Sequence, residues 1–363
     1  KLELRRPLTY LRIMAKSILG MGNPLLDILA TVEQSVLDEW GVTLNNAIMA
    51  EEQHKPLYVK LAESHPVQYI AGGATLNSIR VAQWMLGAEA GKTSFVGSIG
   101  TDAFGKQMKE QVAADGVNGV FLELADVPTG TCAVLVKDAE RSLIANLSAA
   151  EKYDATHFAG EAVTRAVAEA SIFYLAGFPL THDGGKAAVT AVCEHVNAAG
   201  AAKHLCMNVS APFIAMFFKE PLLAAFESAD YVFCNETEAF ALSEAMAWGI
   251  PEGESEKIAA KIAELPSKRP IPRTAIVTQG AEATCVAIAG GKSETFAVAG
   301  NPHTLTKEMI VDTNGAGDAF VGGFLSQLAL GKDMAACVRA GHYAAGIIIQ
   351  RAGCTVPATP ASF

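Results

Sequence analysis

The chain lacks any apolar run of the roughly 18 residues that a membrane-spanning helix needs, although 50% of its 363 residues are hydrophobic. It also lacks an excess of basic residues, since 28 Lys and Arg stand against 38 Asp and Glu and give a formal net charge of −10. No cluster of Lys and Arg interleaved with aromatics occurs, which argues against a nucleic-acid partner. We therefore expect a protein that binds small molecules and has no membrane partner.

Disulfide and zinc patterns are missing as well. The seven cysteines are odd in number and form no CxxC pair, and most lie in apolar runs. Such a pattern is typical of buried free thiols in a reducing compartment, so we expect a cytoplasmic location. Residues 1–14 precede the first recognisable strand, and we interpret them as a tag or disordered extension, with a targeting arm as the alternative.

A regular alternation of short apolar runs and helical patterns fills most of the chain. It predicts an α/β fold, a doubly wound and mostly parallel sheet with helices on both faces. Gly290-Gly291 predicts a hairpin turn within 283–300. The predicted strands are 17–22, 93–99, 171–177, 204–209, 230–235 and 274–279, and the predicted helices are 75–86, 103–114, 160–170, 184–199, 237–247, 255–264, 317–330 and 333–350.

Two stretches, 28–70 and 119–146, interrupt this alternation. They hold short strands, such as GTCAVLVKD at 130–138, with turns and few clear helices. We interpret them as a small β-rich lid domain. Ligands of an open parallel sheet bind outside the carboxyl ends of its strands, so polar residues at those ends are expected to converge on one cleft. The large α/β domain would comprise 15–27, 71–118 and 147–363.

The most informative segment is DTNGAGDAFVGGF, residues 312–324. An apolar run with strand character, 309–311, precedes it, and a helical pattern follows Gly315 and Gly317. Glycines permit a tight turn and close approach of a ligand, and the free N–H groups at a helix start favour an anion such as phosphate. The pattern predicts a phosphate site with the carboxylate of Asp318 beside it. An ordinary helix cap is the alternative explanation of Asp318.

This segment resembles the C-terminal signature of the ribokinase-like (PfkB) carbohydrate kinases. The resemblance covers nearly the whole chain and implies a ribokinase-like fold. It further implies phosphoryl transfer from ATP, with Mg²⁺, to the 5′-hydroxyl of adenosine, because other stretches resemble the adenosine kinases within that family. Those stretches are GMGNPLLD (20–27), AGGATLNSIRVAQWM (71–85), PTGTCA (128–133), RSLIANLSAA (141–150), NETEA (235–239) and AGHYAAGIIIQRAGCT (341–355).

The resemblance assigns the chemistry to the glycine-rich turn. It implies that Asp318 removes the proton of the attacking hydroxyl. The backbone N–H groups of Gly315, Ala316 and Gly317 would stabilise the phosphoryl oxygens in the transition state. Arg141, at the end of the lid segment, would neutralise charge on the triphosphate, and a surface arginine at a turn is the alternative.

For the substrate, the resemblance implies a polar strip that binds ribose and an apolar slot for the base. A carboxylate such as Asp27 accepts hydrogen bonds from two neighbouring hydroxyls, and Phe178 offers an aromatic face to the base. A core role for Phe178, and a plain turn and helix cap at Gly72-Gly73, are the alternatives. The expected substrate-binding residues are Asn23, Leu25, Asp27, Gly72, Gly73, Asn77, Phe178 and Asn314.

The ATP side of the cleft is expected at the neighbouring strand ends. Glu238 in NETEA would organise Mg²⁺ through water, again on the resemblance. Mg²⁺ keeps several waters and uses few protein carboxylates, which suits a single glutamate, whereas a capping box with Asn235 explains the same spacing. A core position is the alternative for His342. The expected ATP-binding residues are Asn208, Asn235, Thr278, Gln279, Gly280 and His342.

Two other functions stay open. A ribokinase-like kinase for another nucleoside or a sugar would keep the glycine-rich turn without needing the apolar slot at Phe178. A catalytically inactive nucleoside-binding protein is the alternative of another class, and the intact Asp318 argues against it. Ala47 and Ala74 stand where resembling kinases often have Gln and Ser, which leaves the fine specificity open. We expect a monomer that binds adenosine and ATP.

Overall fold

The computed structural model describes residues 15–44, 47–87, 93–137, 140–298 and 305–363. The extension expected at residues 1–14 lies outside them. Two sheets organise the described chain, one of nine strands and one of five. Within these ranges, no helix is both long enough and apolar enough to cross a membrane.

The strands and helices follow the predicted order. The ends of the predicted elements differ from the observed ones by one or two residues. The strands are β1 (Ile18–Met21), β2 (Leu25–Thr31), β3 (Ala47–Met49), β4 (Gln68–Gly72), β5 (Thr93–Gly100), β6 (Asn118–Leu124), β7 (Thr131–Lys137), β8 (Glu140–Asn146), β9 (Ile172–Ala176), β10 (His204–Asn208), β11 (Tyr231–Asn235), β12 (Thr274–Gln279), β13 (Glu282–Ile288) and β14 (Ser293–Phe296). The α-helices are α1 (Gln34–Trp40), α2 (Leu57–Ser64), α3 (Ala74–Leu86), α4 (Ala103–Ala114), α5 (Ala155–Phe158), α6 (Glu161–Glu169), α7 (Asp183–Ala199), α8 (Pro212–Phe217), α9 (Lys219–Phe226), α10 (Glu236–Ala245), α11 (Ser255–Ala263), α12 (Ala316–Ala329) and α13 (Met334–Ile348).

The large sheet has the order β14-β13-β12-β11-β10-β9-β1-β5-β6. From β12 to β6 all neighbouring strands pair in parallel, and β13 and β14 complete an antiparallel edge with the predicted hairpin. The central strands β1 and β9 are buried along their whole length, as expected for strands covered by helices on both faces. The predicted doubly wound, mostly parallel sheet is thus confirmed.

Separate hydrophobic clusters cover the two faces of this sheet. One holds Phe173 of β9 together with side chains of α7, α9 and α11. The other holds Tyr174 together with side chains of α3, α4, α12 and α13. Adjacent residues of β9 thus enter opposite clusters, because successive side chains of a strand point to opposite faces. The sheet is thereby fixed from both sides, and its strand ends are held in place.

The smaller sheet has the order β3-β8-β7-β2-β4 and a core of its own, which includes Ile28, Leu57 and Leu135. Its limits differ from those expected from the sequence. β2 already begins at Leu25 and β4 ends at Gly72. Residues 119–124 belong to β6, which pairs with β5 in the large sheet, because apolar side chains of β6 pack against the large core.

The strand predicted at residues 309–311 is wrong. A 3₁₀ turn spans Lys307–Met309, and the next residues form no strand. The N–H groups of Val311 and Asp312 both donate to the carbonyl oxygen of Ile349, just past the end of α13. The apolar side chains of residues 309–311, which suggested a strand, are exposed. The segment is therefore fixed to a helix end just before it turns at Gly315.

Glycines set the distance between α12 and its neighbours. A Cβ at Gly323 would lie 2.3 Å from the carbonyl oxygen of Ala340 in α13. A Cβ at Gly322 would lie 2.6 Å from the carbonyl oxygen of Ser78 in α3. Any side chain at either position would push α12 away, and the start of α12 would move with it.

We predict that Gly323→Ala lowers the free energy of unfolding by about 1–3 kcal/mol, as is usual for overpacking against backbone that cannot yield. Gly317→Ala on the same helix is the matched control, because a Cβ there meets nothing within 4 Å. Ala favours a helix over Gly, so the control is expected to be neutral or stabilising by up to about 1 kcal/mol. Urea unfolding measures both, and equal losses in the two variants would contradict this packing argument.

Candidate active site

The carboxyl ends of three parallel strands and the start of α12 enclose one pocket. Asn208, Asn235 and Thr278 stand at the ends of β10, β11 and β12. Residues far apart in sequence thus meet where an open α/β sheet binds its ligands. The pocket is lined by Ala74, Asn208, Ser210, Phe233, Cys234, Asn235, Glu238, Thr278, Gly317, Asp318, Phe320 and Val321.

The turn before α12 has a backbone conformation that glycine adopts most readily. Gly315 has φ 80° and ψ 0° at the N-cap position, and no side chain caps the helix. Gly317 lines the pocket, with open space where a side chain would stand. The N–H of Ala316 donates to the carbonyl of Thr313, so one of the three expected oxyanion donors is engaged within the turn. The start of α12 is otherwise a favourable place for an anion.

Asp318 is not the cap of this helix. It lies within the first turn of α12, where its Oδ2 accepts a hydrogen bond of 3.0 Å from Nδ2 of Asn77 in α3. Burial raises the pKa of Asp318 to about 6, and the Asn77 bond acts in the opposite direction. The carboxyl group is therefore mostly ionised at neutral pH and can accept a proton at little cost.

Asn77 has a further feature that points toward a ligand. Its Oδ1 is buried and has no hydrogen-bond partner among the described residues. A buried amide oxygen without a partner is costly, at about 1–3 kcal/mol. A ligand hydroxyl that donates to Oδ1 would remove that cost.

Asp27 lies in β2 against the two glycines that precede α3. A Cβ at Gly72 would lie 2.7 Å from Oδ2 of Asp27, and a Cβ at Gly73 would lie 2.3 Å from the backbone oxygen of Asn23. Gly73 also has φ 97° and is the N-cap of α3. Gly72 and Gly73 thus precede a helix, in agreement with the alternative of a turn and helix cap. The lack of side chains there also lets the backbone lie close to Asn23 and Asp27, two residues of the expected ribose strip.

Burial is the main reason why the pKa of Asp27 rises to about 7. Arg80 in α3 acts in the opposite direction, whereas Asp318 and Asp312 add to the rise. Arg80 is itself buried and forms an ion pair of 2.6 Å with Asp115. It also donates to the carbonyl oxygens of Ala71 and Cys354, so it connects the end of β4 to the C-terminal segment.

Arg141 is not a surface arginine. Its guanidinium in β8 forms an ion pair of 2.7 Å with Asp312, and both side chains are largely buried. Asp312 also accepts hydrogen bonds from the N–H groups of Asn314 and Gly353. The ion pair therefore connects the small sheet directly to the glycine-rich turn.

Asn235 and Glu238 form the capping box at the start of α10. Glu238 accepts from the backbone N–H and from Nδ2 of Asn235, each at 3.0 Å, and donates its own N–H to Asn235. Glu238 is buried, and burial raises its pKa to about 7. Among the described residues, no group of three or more His, Cys, Asp or Glu is placed to hold a metal ion. Glu238 is thus a single carboxylate, which suits a hydrated cation carried by phosphates, because such a cation needs few protein ligands.

The residues expected near ATP differ in what they contact. Thr278 lines the pocket. Gln279 donates to the carbonyl of Ala283 at the start of β13, and Gly280 forms the turn with φ 55°. His342 is hydrogen-bonded at 2.8 Å to the hydroxyl of Thr284, and burial lowers its pKa. One ring nitrogen of His342 is thus engaged within the protein, and the expected part of His342 in ATP binding stays a prediction.

Two aromatic rings meet just past the ends of neighbouring strands. Phe178 follows β9, Phe213 lies in α8 after β10, and their ring centroids are 6.2 Å apart at an interplanar angle of 46°. Phe178 is half-buried and Phe213 is 42% exposed, so both keep apolar surface available. Leu25 lies in β2 close to Gly130. Phe178 packs against the large core while part of its surface stays accessible, so its core role does not exclude a binding role.

Comparison with known proteins decides the family. The model of the pfkB family of carbohydrate kinases matches residues 37–361. The chain belongs to this family. Adenosine kinase 1 of Arabidopsis thaliana is 48% identical over 344 residues, which are 94% of this chain and 96% of the relative. Adenosine kinase of Dictyostelium discoideum is 39% identical over 94% of this chain and 97% of the relative.

Solved structures of pfkB-type kinases agree with this fold. Adenosine kinase of Anopheles gambiae, in complex with P1,P4-di(adenosine-5) tetraphosphate, has a TM-score of 0.82 and 40% identity over 93% of this chain and 96% of its own. Adenosine kinase of Trypanosoma brucei brucei without ligand has a TM-score of 0.86 and 34% identity, covering 93% and 99%. The ribokinase-like fold expected from the sequence is confirmed.

Sequence reasoning missed several residues of this pfkB kinase that the structure brings to the site. Arg80, Asp312 and Phe213 were not expected there. Phe213 could have been predicted, because it is an aromatic residue shortly after a strand end, as Phe178 is. Arg80 and Asp312 had none, since an arginine inside a helix and an aspartate before a turn are ordinarily solvated.

The raised pKa values of the cleft carboxyl groups predict how the free kinase responds to pH. For a group whose pKa is higher in the folded state, stability is fully present below the unfolded pKa and is lost as pH rises through the folded pKa. For Asp27 that loss runs from about pH 4, the ordinary pKa of an aspartate, to about pH 7, its folded pKa. We predict that Asp27→Asn raises Tm relative to wild type at about pH 8 and does so much less at about pH 4, where wild-type Asp27 is largely protonated in both states.

Calorimetric melting without ligands at the two pH values measures this difference. Glu33→Gln, which removes one exposed carboxyl group, is the matched control. A difference between Asp27→Asn and wild type that is the same at both pH values would show that the Asp27 charge does not destabilise the free cleft.

Proposed function

We propose that the chain transfers the γ-phosphoryl group of ATP to the 5′-hydroxyl of adenosine and forms ADP and AMP. The observation that carries this proposal is the pairing of Asp318, at the start of α12, with Asn77 of α3 beside the glycine-rich turn. The relatives named adenosine kinase, of which the Arabidopsis protein is 48% identical, support adenosine as the acceptor and ATP as the donor. The reaction is a step of purine salvage.

Asp318 has the properties that a general base for this reaction needs. Its pKa of about 6 leaves it ionised at neutral pH, and Asn77 fixes its orientation. In phosphoryl transfer, positioning and charge stabilisation dominate, and the proton leaves late, so a weak base suffices. The Oδ1 that does not bind Asn77 is the atom proposed to accept the proton of the 5′-hydroxyl.

The phosphoryl oxygens are proposed to lie over the first turn of α12. The N–H groups of Gly315, Ala316 and Gly317 are the proposed donors, with Ala316 leaving its bond to Thr313 when an anion competes for it. Arg141 would add positive charge from the lid side. Asn208, Asn235 and Thr278, at the strand ends, are proposed to border the phosphates, and Gln279, Gly280 and His342 the adenine of ATP.

Mg²⁺ is proposed to enter with the phosphates of ATP. When bound, it neutralises phosphate charge and aligns the phosphate groups. Glu238 would hold it through water, because both carboxylate oxygens already accept hydrogen bonds from Asn235. The carboxylate keeps further lone pairs for water donors.

The acceptor nucleoside is proposed to bind between the small sheet and α3. Asn23, Asp27, Gly73 and the free Oδ1 of Asn77 would bind the ribose, with Gly72 and Asn314 alongside. Phe178 and Phe213 would contact the base, together with Leu25. We further propose a monomer in the cytoplasm that binds these two small molecules and no nucleic acid, supported by the net charge of −10 and by seven buried free cysteines.

A substrate panel tests the proposed reaction. Adenosine, guanosine, inosine, ribose and fructose are each offered with MgATP, and the phosphorylated products are measured. Adenosine is expected to be the best acceptor. Preference for a sugar would favour a sugar kinase of the same fold, and adenosine binding without any product would favour a binding protein.

We predict that Asp318→Asn lowers kcat by about 10²-fold or more, the usual scale for loss of a general base. Adenosine affinity and Tm are expected to change little, because the amide has the same shape and can still accept from Asn77. Asp333→Asn is the matched control, since it makes the same change at the exposed N-cap of α13, outside the pocket, where Asn caps as well as Asp. Near-normal kcat in Asp318→Asn would eliminate Asp318 as the base.

The small sheet is proposed to act as a lid formed mainly by residues 28–70 and 125–146. It touches the glycine-rich turn through Arg141 and Asp312 and the ribose strip through Asp27. Closure would exclude water from the reacting groups.

We predict that saturating adenosine slows amide hydrogen exchange in β2, β4, β7 and β8, because contacts made only in the closed state favour that state. Mass spectrometry of deuterium uptake measures the effect. Strands β13 and β14 at the far edge of the large sheet serve as the internal control. Uniform slowing of both regions, or unchanged uptake in the small sheet, would rule out a lid that responds to the nucleoside.

A further inference from the structure

His182 stands at the start of α7, beside the expected ribose strip, with both ring nitrogens engaged. Nδ1 lies 3.1 Å from the backbone N of Gly185, and Nε2 lies 3.2 Å from Oδ1 of Asn23. A small cavity lined by Asn23, His182 and Gly185, among others, separates α7 from the loop after β1. His182 has no part in the site described so far.

These two contacts determine where the imidazole proton lies. The N–H of Gly185 can only donate, so Nδ1 must accept and carries no proton. The single proton of the neutral ring is therefore on Nε2 and donates to Oδ1 of Asn23. Burial lowers the pKa of His182, which keeps the ring neutral, although Glu151 and Asp183 oppose this effect and Lys152 and Lys186 assist it.

The proton on Nε2 also determines the orientation of the Asn23 amide. With the amide reversed, its NH₂ group would face the N–H of His182, and two donors would oppose each other. The carbonyl oxygen of Asn23 also lies against Gly73, where any side chain would collide with it. The Asn23 amide thus keeps its NH₂ group free on the side away from His182.

We propose that His182 is a positioning residue for the acceptor nucleoside. Through the Nε2–H···Oδ1 bond it holds Asn23 so that the Asn23 amide nitrogen donates to a ribose hydroxyl oxygen. Asp27 accepts from the ribose hydroxyls, so donor and acceptor are complementary along the strip. This inference rests on the proposed function, in which Asn23 binds ribose.

The cap of α7 and the Asn23 contact can be separated by substitution. Asn at position 182 keeps an acceptor near the place of Nδ1 and is among the best N-caps, but it is too short to reach Asn23. Gln at position 182 extends an NH₂ group toward Asn23 and caps poorly. His182→Asn therefore removes the contact with Asn23 and keeps the cap of α7, whereas His182→Gln keeps the contact and weakens the cap.

The test compares adenosine Kd, adenosine KM, kcat and Tm in wild type, His182→Asn and His182→Gln, and repeats His182→Asn in an Asn23→Ala background. His182→Asn is expected to weaken adenosine binding about 10-fold, the scale of one oriented hydrogen bond, with kcat within about 2-fold and Tm unchanged. His182→Gln is expected to keep most of the affinity and to lower Tm. In the Asn23→Ala background, His182→Asn is expected to have no further effect on Kd.

An unchanged Kd in His182→Asn would overturn the proposal. An equal loss of affinity with and without Asn23 would also overturn it, because His182 would then act through the shape of α7. Turnover of adenosine by the wild type in the same assay tests the proposed function separately. The two proposals can therefore fail independently of each other.

Discussion

The structure depends on holding three buried carboxyl groups near one another: Glu238 and Asp318 line the pocket, and Asp27 lies close enough to Asp318 for their charges to interact. Asp27 from β2, Glu238 from α10 and Asp318 from α12 all have pKa values raised by burial, to about 7, 7 and 6. Taking ionised carboxylates out of water is costly unless they are hydrogen-bonded or paired. The neighbouring groups, Arg80, Asn77 and the backbone of Asn235, compensate only in part. Each of these carboxyl groups is therefore harder to ionise than in water, and a ligand that supplies hydroxyl groups or a cation would favour the ionised form.

The rest of the architecture serves to hold these groups in place. The nine-stranded sheet fixes the ends of β10, β11 and β12 from both faces, and close helix packing at Gly322 and Gly323 fixes the start of α12. The glycine-rich turn is then connected on two sides, to α3 through Asn77 and to the small sheet through the Arg141–Asp312 ion pair. A change at the acceptor side can thus reach the turn where phosphate is proposed to bind.

The sequence predicted the parts of the fold that local patterns determine. The strand and helix alternation and the hairpin at Gly290 were predicted correctly, because apolar periodicity and turn glycines are local signals. The strand at 309–311 failed because apolar content alone does not show whether a neighbouring strand exists. The limits predicted for the small β-rich segment were wrong at β6. Its short alternating run resembles the strands of the small sheet, and only tertiary packing assigns it to the large sheet.

The same division applies to the site. The position of Gly315 at the N-cap of α12 and of Asp318 in its first turn could be predicted, since a glycine-rich turn before a helix is readable in sequence. The buried ion pairs of Arg80 with Asp115 and of Arg141 with Asp312 could not, because they join residues that are 35 or more positions apart and each partner alone looks like a surface charge. The proposed role of His182 could not be predicted either, since it depends on which donor and acceptor lie beside its two ring nitrogens.

Proton release upon adenosine binding tests the central claim most directly. Isothermal titration calorimetry near pH 7, in buffers of different ionisation enthalpy, counts the protons exchanged. The account predicts net release, because the pKa of Asp27 is about 7 in the free cleft and hydrogen bonds from ribose hydroxyls favour its ionised form. Asp27→Asn should abolish most of this release. Proton uptake, or the same release in Asp27→Asn, would contradict the account.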